Sequence, residues 1–80
     1  MKEQINLLSD SLKNSFSIYS ITVAVNYEYL KSIGITNPEL LITVVPDLFL
    51  CSREDLKNSI KNIDINEVNE NPISILDMIE

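Results

Sequence analysis

The segment from residue 27 to residue 56, YEYLKSIGITNPELLITVVPDLFLCSREDL, carries most of the residues that start and stop secondary structure in this chain. It contains the only glycine, Gly34, and two of the three prolines, Pro38 and Pro46. Proline cannot continue a helix without the loss of a backbone hydrogen bond, and glycine tolerates the left-handed conformation that ends many helices. Any helix in this segment must therefore be short.

These residues predict particular helix boundaries. Gly34 is expected to end a helix, and Ile35 supplies the apolar contact that often accompanies such an end. Asn37 is expected to cap the next helix, because asparagine favours that position, and Pro38 suits the first helical residue. The sequence therefore predicts two helices separated by a tight turn at the glycine.

A second break is expected at Pro46. Residues 47–51 then form a short apolar connector with a single 3₁₀ turn. Ser52 followed by Asp55 resembles a capping box and predicts that another helix starts there, with Leu56 on its buried side.

The N-terminal part of the chain has apolar residues at helical spacing. Ile5, Leu8 and Leu12 lie three and four residues apart, and this spacing predicts a helix over residues 2–15. A helix of this length is marginal alone, so its apolar side must dock on the rest of the protein.

Residues 16–33 allow two interpretations. Their β-branched residues alternate with smaller ones, which is typical of a strand, and residues 40–50 would then supply the paired strand. The helical spacing, however, continues to a clean stop at Gly34, and its length favours a helix. We therefore predict an all-α fold, a compact bundle or short stack of four to five short helices. The alternative is an α+β fold with strands near 17–25 and 40–50.

The C-terminal part repeats the same kinds of signal. Asp64 and Glu67 form a weaker capping pattern, and Pro72 starts a last short helix. The apolar side of this helix is either Ile73, Leu76 and Ile79 or Ile75 and Ile79.

Charge divides the single predicted domain, residues 1–80, into two parts. The net charge is −6. Residues 1–63 contain seven acids and six bases, whereas the acidic C-terminal segment, residues 64–80, contains five acids and no base. Acidic surfaces repel phosphate and anionic lipid and attract basic proteins. The sequence thus argues against a nucleic-acid or membrane partner and favours a protein with a basic surface.

The composition gives little support for catalysis. There is no histidine, the commonest general base and metal ligand, and a single glycine cannot form a phosphate-binding loop. Cys51 is the only cysteine, so no zinc site or internal disulfide is expected, and we interpret it as a small buried apolar residue. We predict a protein that is not an enzyme and has no cofactor.

Residues 27–76 resemble a helical repeat of the mitochondrial transcription termination factor (mTERF) family. In that pattern, a helix ending in a glycine precedes a short helix, a proline with large apolar residues, and a helix that opens at serine. The matching residues are Tyr29-Leu30, Ile33-Gly34-Ile35, Leu40-Leu41-Ile42, Pro46-Asp47-Leu48-Phe49, Ser52, Leu56 and Ile60, followed by a partial copy at Ile65, Val68, Asn71-Pro72-Ile73 and Leu76. The resemblance implies stacked short helices and the binding of nucleic acid.

We therefore expect a small acidic protein-binding module: an inhibitor, immunity protein or regulator, of phage, plasmid or mobile-element origin. The N-terminal sequence lacks the apolar core of a secretory signal, so a cytoplasmic location is expected. A homodimer through the face between Phe16 and Leu30 is a further expectation, and a nucleic-acid-binding helical repeat is the alternative function. The residues predicted to bind the partner are Asp64, Glu67, Glu70, Asp77, Tyr19 and Tyr27.

Overall fold

A computed structural model of the protein describes residues 1–79; Glu80, the last residue of the acidic segment, lies outside the described residues. Residues 1–79 are all-α and contain no strand, so the all-α prediction is confirmed and strands near 17–25 and 40–50 are wrong. The elements are α1 (Lys2–Asn6), α2 (Asp10–Ile18), α3 (Ser20–Ser32), the 3₁₀ helix η1 (Pro38–Leu41), α4 (Asp47–Leu50), α5 (Arg53–Ile60), α6 (Ile65–Glu70) and the 3₁₀ helix η2 (Pro72–Asp77). Residues 1–79 thus form more and shorter helices than the four to five predicted from the sequence.

The single helix predicted over residues 2–15 is wrong, because the chain breaks between α1 and α2. Ser9 precedes α2, and its hydroxyl oxygen accepts a hydrogen bond from the backbone N–H of Leu12 at 3.3 Å. This bond satisfies an N–H group that has no partner within the first turn of a helix. A capping serine therefore starts a new helix inside a segment whose apolar spacing is continuous.

Residues 16–33 are helical, but they do not form one helix. Tyr19 lies between α2 and α3 with φ −101° and ψ 34°, outside helical geometry. After this break, α3 buries Val23, Asn26 and Leu30. Tyr19 itself is exposed, and the helical spacing that the sequence continues across residues 16–33 is interrupted there.

The predicted end of α3 at Gly34 is confirmed. Gly34 has φ +114°, and its N–H donates to the carbonyl oxygen of Lys31 at 3.2 Å. The N–H of Ile35 donates to the carbonyl oxygen of Leu30, also at 3.2 Å. Leu30 and Ile35 are both buried, so the turn is closed by hydrogen bonds and by apolar packing, the pattern of a Schellman motif.

Asn69 on α6 fixes this turn to the C-terminal part of the molecule. Its side-chain Nδ2 donates to the carbonyl oxygen of Gly34 at 2.9 Å, and its Oδ1 accepts the backbone N–H of Thr36 at 3.0 Å. One amide side chain thus pairs with two backbone groups of a loop that has no regular secondary structure.

The prolines mark helix starts, as predicted. Pro38 is the first residue of η1 and follows Asn37, although the Asn37 side chain makes no capping hydrogen bond. Pro46 precedes α4. The predicted 3₁₀ connector over residues 47–51 is instead a single α-helical turn.

The two predicted capping patterns are confirmed at α5 and α6. The hydroxyl oxygen of Ser52 accepts the N–H of Asp55 at 3.1 Å, and Oδ1 of Asp64 accepts the N–H of Glu67 at 3.2 Å. Each bond satisfies one of the backbone N–H groups that have no intrahelical partner in the first turn.

The core forms where α3 packs on α2, α4 and η1, and where η2 packs on α6 and η1. Its two aromatic rings, Phe16 and Phe49, have centroids 6.2 Å apart and are tilted by 43°. The buried apolar side chains are Phe16, Val23, Leu30, Ile35, Leu41, Ile42, Leu48, Phe49, Leu56, Ile60, Val68 and Ile75. Phe16, Val23 and Leu30, which belong to the face that the sequence suggested for a homodimer, are therefore core residues of a single copy and cannot form that contact.

Candidate functional site

The apolar side chains of η2 divide between the core and the surface. A 3₁₀ helix has three residues per turn, so residues three apart lie on one edge. Ile75 is fully buried, whereas Ile73 is 64% exposed and Leu76 is 51% exposed. Of the two predicted apolar sides, the one built on Ile75 and the half-buried Ile79 faces the core. Ile73 and Leu76 form a second apolar edge that faces solvent.

A shallow cleft lies between η1 and the first residue of η2. Leu40, which is partly exposed, and Pro72 line the same cleft, and Pro72 directly precedes Ile73. The free volume of the cleft is about 10 Å³, which is room for about one water molecule. It is thus too small for a small-molecule ligand. We call Leu40, Pro72, Ile73 and Leu76 the C-terminal apolar surface.

Four of the predicted partner-binding residues are acids on the elements around this surface. Asp64 caps α6, Glu67 and Glu70 lie on α6 three residues apart, and Asp77 is the last residue of η2. All four are exposed. Because α6 packs against η2, the C-terminal apolar surface is part of an acidic region of the molecule.

Tyr27 is engaged within the protein. Its hydroxyl donates a hydrogen bond to Oε2 of Glu39 at 2.8 Å and joins α3 to η1. This hydrogen bond raises the pKa of Tyr27 above its ordinary value, and burial of the ring raises it further. Among the predicted partner-binding residues, Tyr27 therefore has an evident structural role.

Tyr19 belongs to a different surface, which the sequence interpretation missed. We define the α2–α3 surface as Ile18, Tyr19, Ile21 and Val25, whose exposed fractions are 64%, 55%, 80% and 45%. Ile21 and Val25 lie four residues apart on α3, on the side opposite its buried residues. The helical spacing of the sequence could have revealed Ile21 and Val25 as exposed, because one buried side of α3 cannot include all of its apolar residues.

A small basic cluster forms where α5 meets α3. The guanidinium carbon of Arg53 lies 4.4 Å from the ring centroid of Tyr29, and Nζ of Lys57 lies 5.7 Å from it. These distances are those of cation–π contacts, which stabilise the packing of the two helices. The face of Tyr29 that could stack on a base is thus covered by the protein's own cations.

Cys51 has the environment of a structural residue. Its thiol is half-buried and lies 3.6 Å from the carbonyl oxygen of Leu48, and burial raises its pKa. A raised pKa lowers the thiolate fraction, which is the nucleophilic form. The predicted interpretation of Cys51 as a small apolar residue is consistent with this geometry.

Two further features bear on the kind of site that residues 1–79 can form. Within this range, no group of three or more Cys, Asp and Glu side chains is arranged to hold a metal ion. No helix in the same range combines the length and apolar character needed to cross a membrane.

Comparison with known proteins gives no relative for this chain. No protein-family model, curated protein or solved structure matches it. The mTERF resemblance of residues 27–76 therefore stays a prediction from the sequence, and the function must be inferred from the surfaces described above.

Proposed function

We propose that the protein is a small, acidic, non-catalytic module that binds a partner protein through the C-terminal apolar surface. The observation that carries the proposal is the solvent-facing edge of Ile73 and Leu76, which lies in a segment with acids and no bases. Such a surface is complementary to an amphipathic segment that has apolar side chains flanked by Lys or Arg.

The two kinds of group have different roles in this proposal. Burial of each exposed apolar side chain provides about 1–2 kcal/mol of favourable free energy, since Ile73 is 64% exposed and Leu76 is 51% exposed. The exposed acids Glu70 and Asp77 attract and orient the basic partner, and salt screens that attraction. We therefore expect a modest affinity that weakens as ionic strength rises.

The biological setting belongs to the same proposal. A cytoplasmic inhibitor, immunity protein or regulator, encoded by a phage, plasmid or other mobile element, would need a small binding surface and no catalytic groups. The support for this setting is the sequence, which is short, acidic and free of histidine.

The proposal can be tested with a labelled amphipathic helical peptide of leucine and lysine, titrated with the protein by fluorescence anisotropy. The control peptide has the same composition in an order that destroys the apolar face. We expect the amphipathic peptide to bind at least about 10-fold more tightly than its isomer, a difference of about 1.4 kcal/mol. Equal affinities would mean that charge alone attracts the peptide, and no binding at low salt would reject the proposal.

Variants locate the binding surface in the same assay. Joint replacement of Ile73→Ser and Leu76→Ser is expected to remove the preference for the amphipathic peptide. The double variant Glu70→Gln and Asp77→Asn should bind both peptides more weakly, by the same factor. Leu7→Ser is the control, because Leu7 is also an exposed apolar residue but lies between α1 and α2.

Nucleic-acid binding is the second proposal, in line with the mTERF resemblance. The observation that favours it is the pair of exposed cations on α5, Arg53 and Lys57, because cations attract phosphate. An electrophoretic mobility assay with single- and double-stranded DNA and RNA at low salt tests it. A shift that Arg53→Gln abolishes supports nucleic-acid binding, and the lack of any shift rejects it.

A further inference from the structure

The α2–α3 surface differs from the C-terminal apolar surface in charge. No Lys, Arg, Asp or Glu occurs between Lys13 and Glu28, a stretch that includes the whole surface. Ile21 is 80% exposed, although isoleucine is among the residues most often buried in folded proteins. An uncharged, aliphatic face of this kind is typical of a region that another protein covers.

We infer that this surface is covered by a second copy of the same chain, in a symmetric dimer. Each copy carries a net charge of −6, so two copies repel each other over most of their surface. The repulsion is smallest where neither copy has a charged residue, which is the stretch between Lys13 and Glu28. A basic partner would find only one acid on this face, Glu28, one turn beyond Val25. An identical surface meets only the repulsion between the two Glu28 carboxylates at its edge.

The area of the surface agrees with a dimer of modest affinity. Its four side chains together expose about 500 Å² per copy, if a fully exposed residue of this size offers about 200 Å². Two copies would then bury at most about 1,000 Å², which is below the roughly 1,200–2,000 Å² of standard specific interfaces and typical of weak association. The dimer is expected to dissociate on dilution.

The geometry of α3 suits a two-fold arrangement. Ile21 and Val25 lie on one side of a 13-residue helix, and the exposed Ala24 between them allows a close approach of two helices. In a symmetric pair the same residues face each other, so Ile21 of each copy packs against the α3 helix of the other. Ile18 and Tyr19, at the break before α3, extend the contact at its end.

Sedimentation equilibrium over a range of protein concentrations from about 1 μM to about 1 mM, a span that brackets weak association, tests the inference. Wild-type protein is expected to change from monomer to dimer within this range. Ile21→Glu places two carboxylates in the interface and should weaken dimerisation by at least 10-fold. Ile73→Glu is the matched control: it introduces the same charge at another exposed isoleucine, and it should leave the association unchanged.

Three results would overturn the inference. Wild-type protein that is monomeric throughout the range has no self-association surface. A dimer that persists in Ile21→Glu, or one that Ile73→Glu disrupts equally, has its interface elsewhere. Far-UV circular dichroism confirms that each variant is folded, and Ile21→Ser replaces Ile21→Glu if the charged variant does not fold.

Salt separates this inference from the proposed function. Salt screens the repulsion between two acidic copies, so dimerisation should strengthen as ionic strength rises. Binding of a basic peptide to the C-terminal apolar surface should weaken under the same conditions. Each property can therefore fail while the other holds, because the two surfaces and the two salt responses differ.

Discussion

The side-chain amide of Asn26 donates a hydrogen bond to the backbone carbonyl oxygen of Cys51, 25 residues away, at 2.8 Å. The same Nδ2 donates to the carbonyl oxygen of Phe49 at 3.1 Å. These carbonyls lie at the C-terminal end of α4, where a one-turn helix leaves backbone acceptors without intrahelical partners. Asn26, on the buried face of α3, thus caps the C-terminal end of α4 and links the two helices within the core.

Replacement of this amide by an apolar side chain of similar size should destabilise the protein strongly. Asn26→Leu leaves two carbonyl groups without their donor in a buried environment, and we expect a loss of about 2–3 kcal/mol in the free energy of unfolding. Urea denaturation followed by circular dichroism measures it. Asn58→Leu, at an exposed site on α5, is the control and should change stability by less than about 0.5 kcal/mol. Equal effects at the two positions would contradict the role given to Asn26.

The turn after α3 predicts a second stability effect. Gly34 has φ +114°, and a Cβ at this position would lie 3.3 Å from Cγ2 of Ile65. Gly34→Ala therefore adds backbone strain and a tight contact, and we expect a loss of about 1–3 kcal/mol, measured by urea denaturation. Ser17→Ala, an exposed position within α2, is the control and should be neutral or slightly stabilising. A Gly34→Ala variant as stable as wild type would contradict the account of this turn.

Two substitutions of Asp64 separate its structural role from its charge. Asparagine also favours the N-cap position, so Asp64→Asn should keep nearly all of the stability while it removes one negative charge. Asp64→Ala also loses the hydrogen bond from the N–H of Glu67 and should cost about 1 kcal/mol in thermal or urea denaturation. If both variants lost the same stability, the charge and not the cap would be responsible. The asparagine variant is therefore the suitable one for tests of peptide binding.

The contact between Tyr27 and Glu39 predicts a dependence of stability on alkaline pH. The pKa of Tyr27 in the folded protein is raised above the ordinary value of 10.0. The folded state then retains the proton more strongly than the unfolded state does. The stabilisation from the Tyr27–Glu39 hydrogen bond is fully present below pH about 10. It is lost as the pH rises through the pKa of Tyr27 in the folded protein.

Comparison of wild type with Tyr27→Phe isolates this contribution, because all other groups titrate in both proteins. We expect wild type to be more stable by about 1 kcal/mol at pH 8, with a difference that shrinks above pH 10. Urea denaturation at several pH values gives the two curves. A stability difference that stays constant to pH 12 would show that the hydrogen bond to Glu39 does not raise the pKa of Tyr27.

The local signals of the sequence predicted the structure well where a residue and its partner lie close in the chain. The glycine turn at Gly34, the serine cap at Ser52 and the proline at Pro72 each depend on hydrogen bonds or angles within a few residues. Such features need no knowledge of the tertiary fold, and the structure confirms all three.

The features that the sequence did not reveal depend on distant partners. Asn26 was not recognised as a core residue because the carbonyls that satisfy it are 23 and 25 residues away. The same holds for Asn69, which holds a loop 33 to 35 residues earlier. The apolar spacing of α2 and α3 also concealed the break at Tyr19, so the sequence predicted a continuous helix and did not reveal the α2–α3 surface.

Nuclear magnetic resonance can show whether a basic amphipathic segment binds the C-terminal apolar surface. The amide signals of ¹⁵N-labelled protein are recorded before and after the leucine–lysine peptide is added. We expect the largest shifts for residues 39–41 and 70–77 and no change for residues 18–25. Shifts confined to residues 18–25 or 53–57, or no shifts at all, would contradict this expectation.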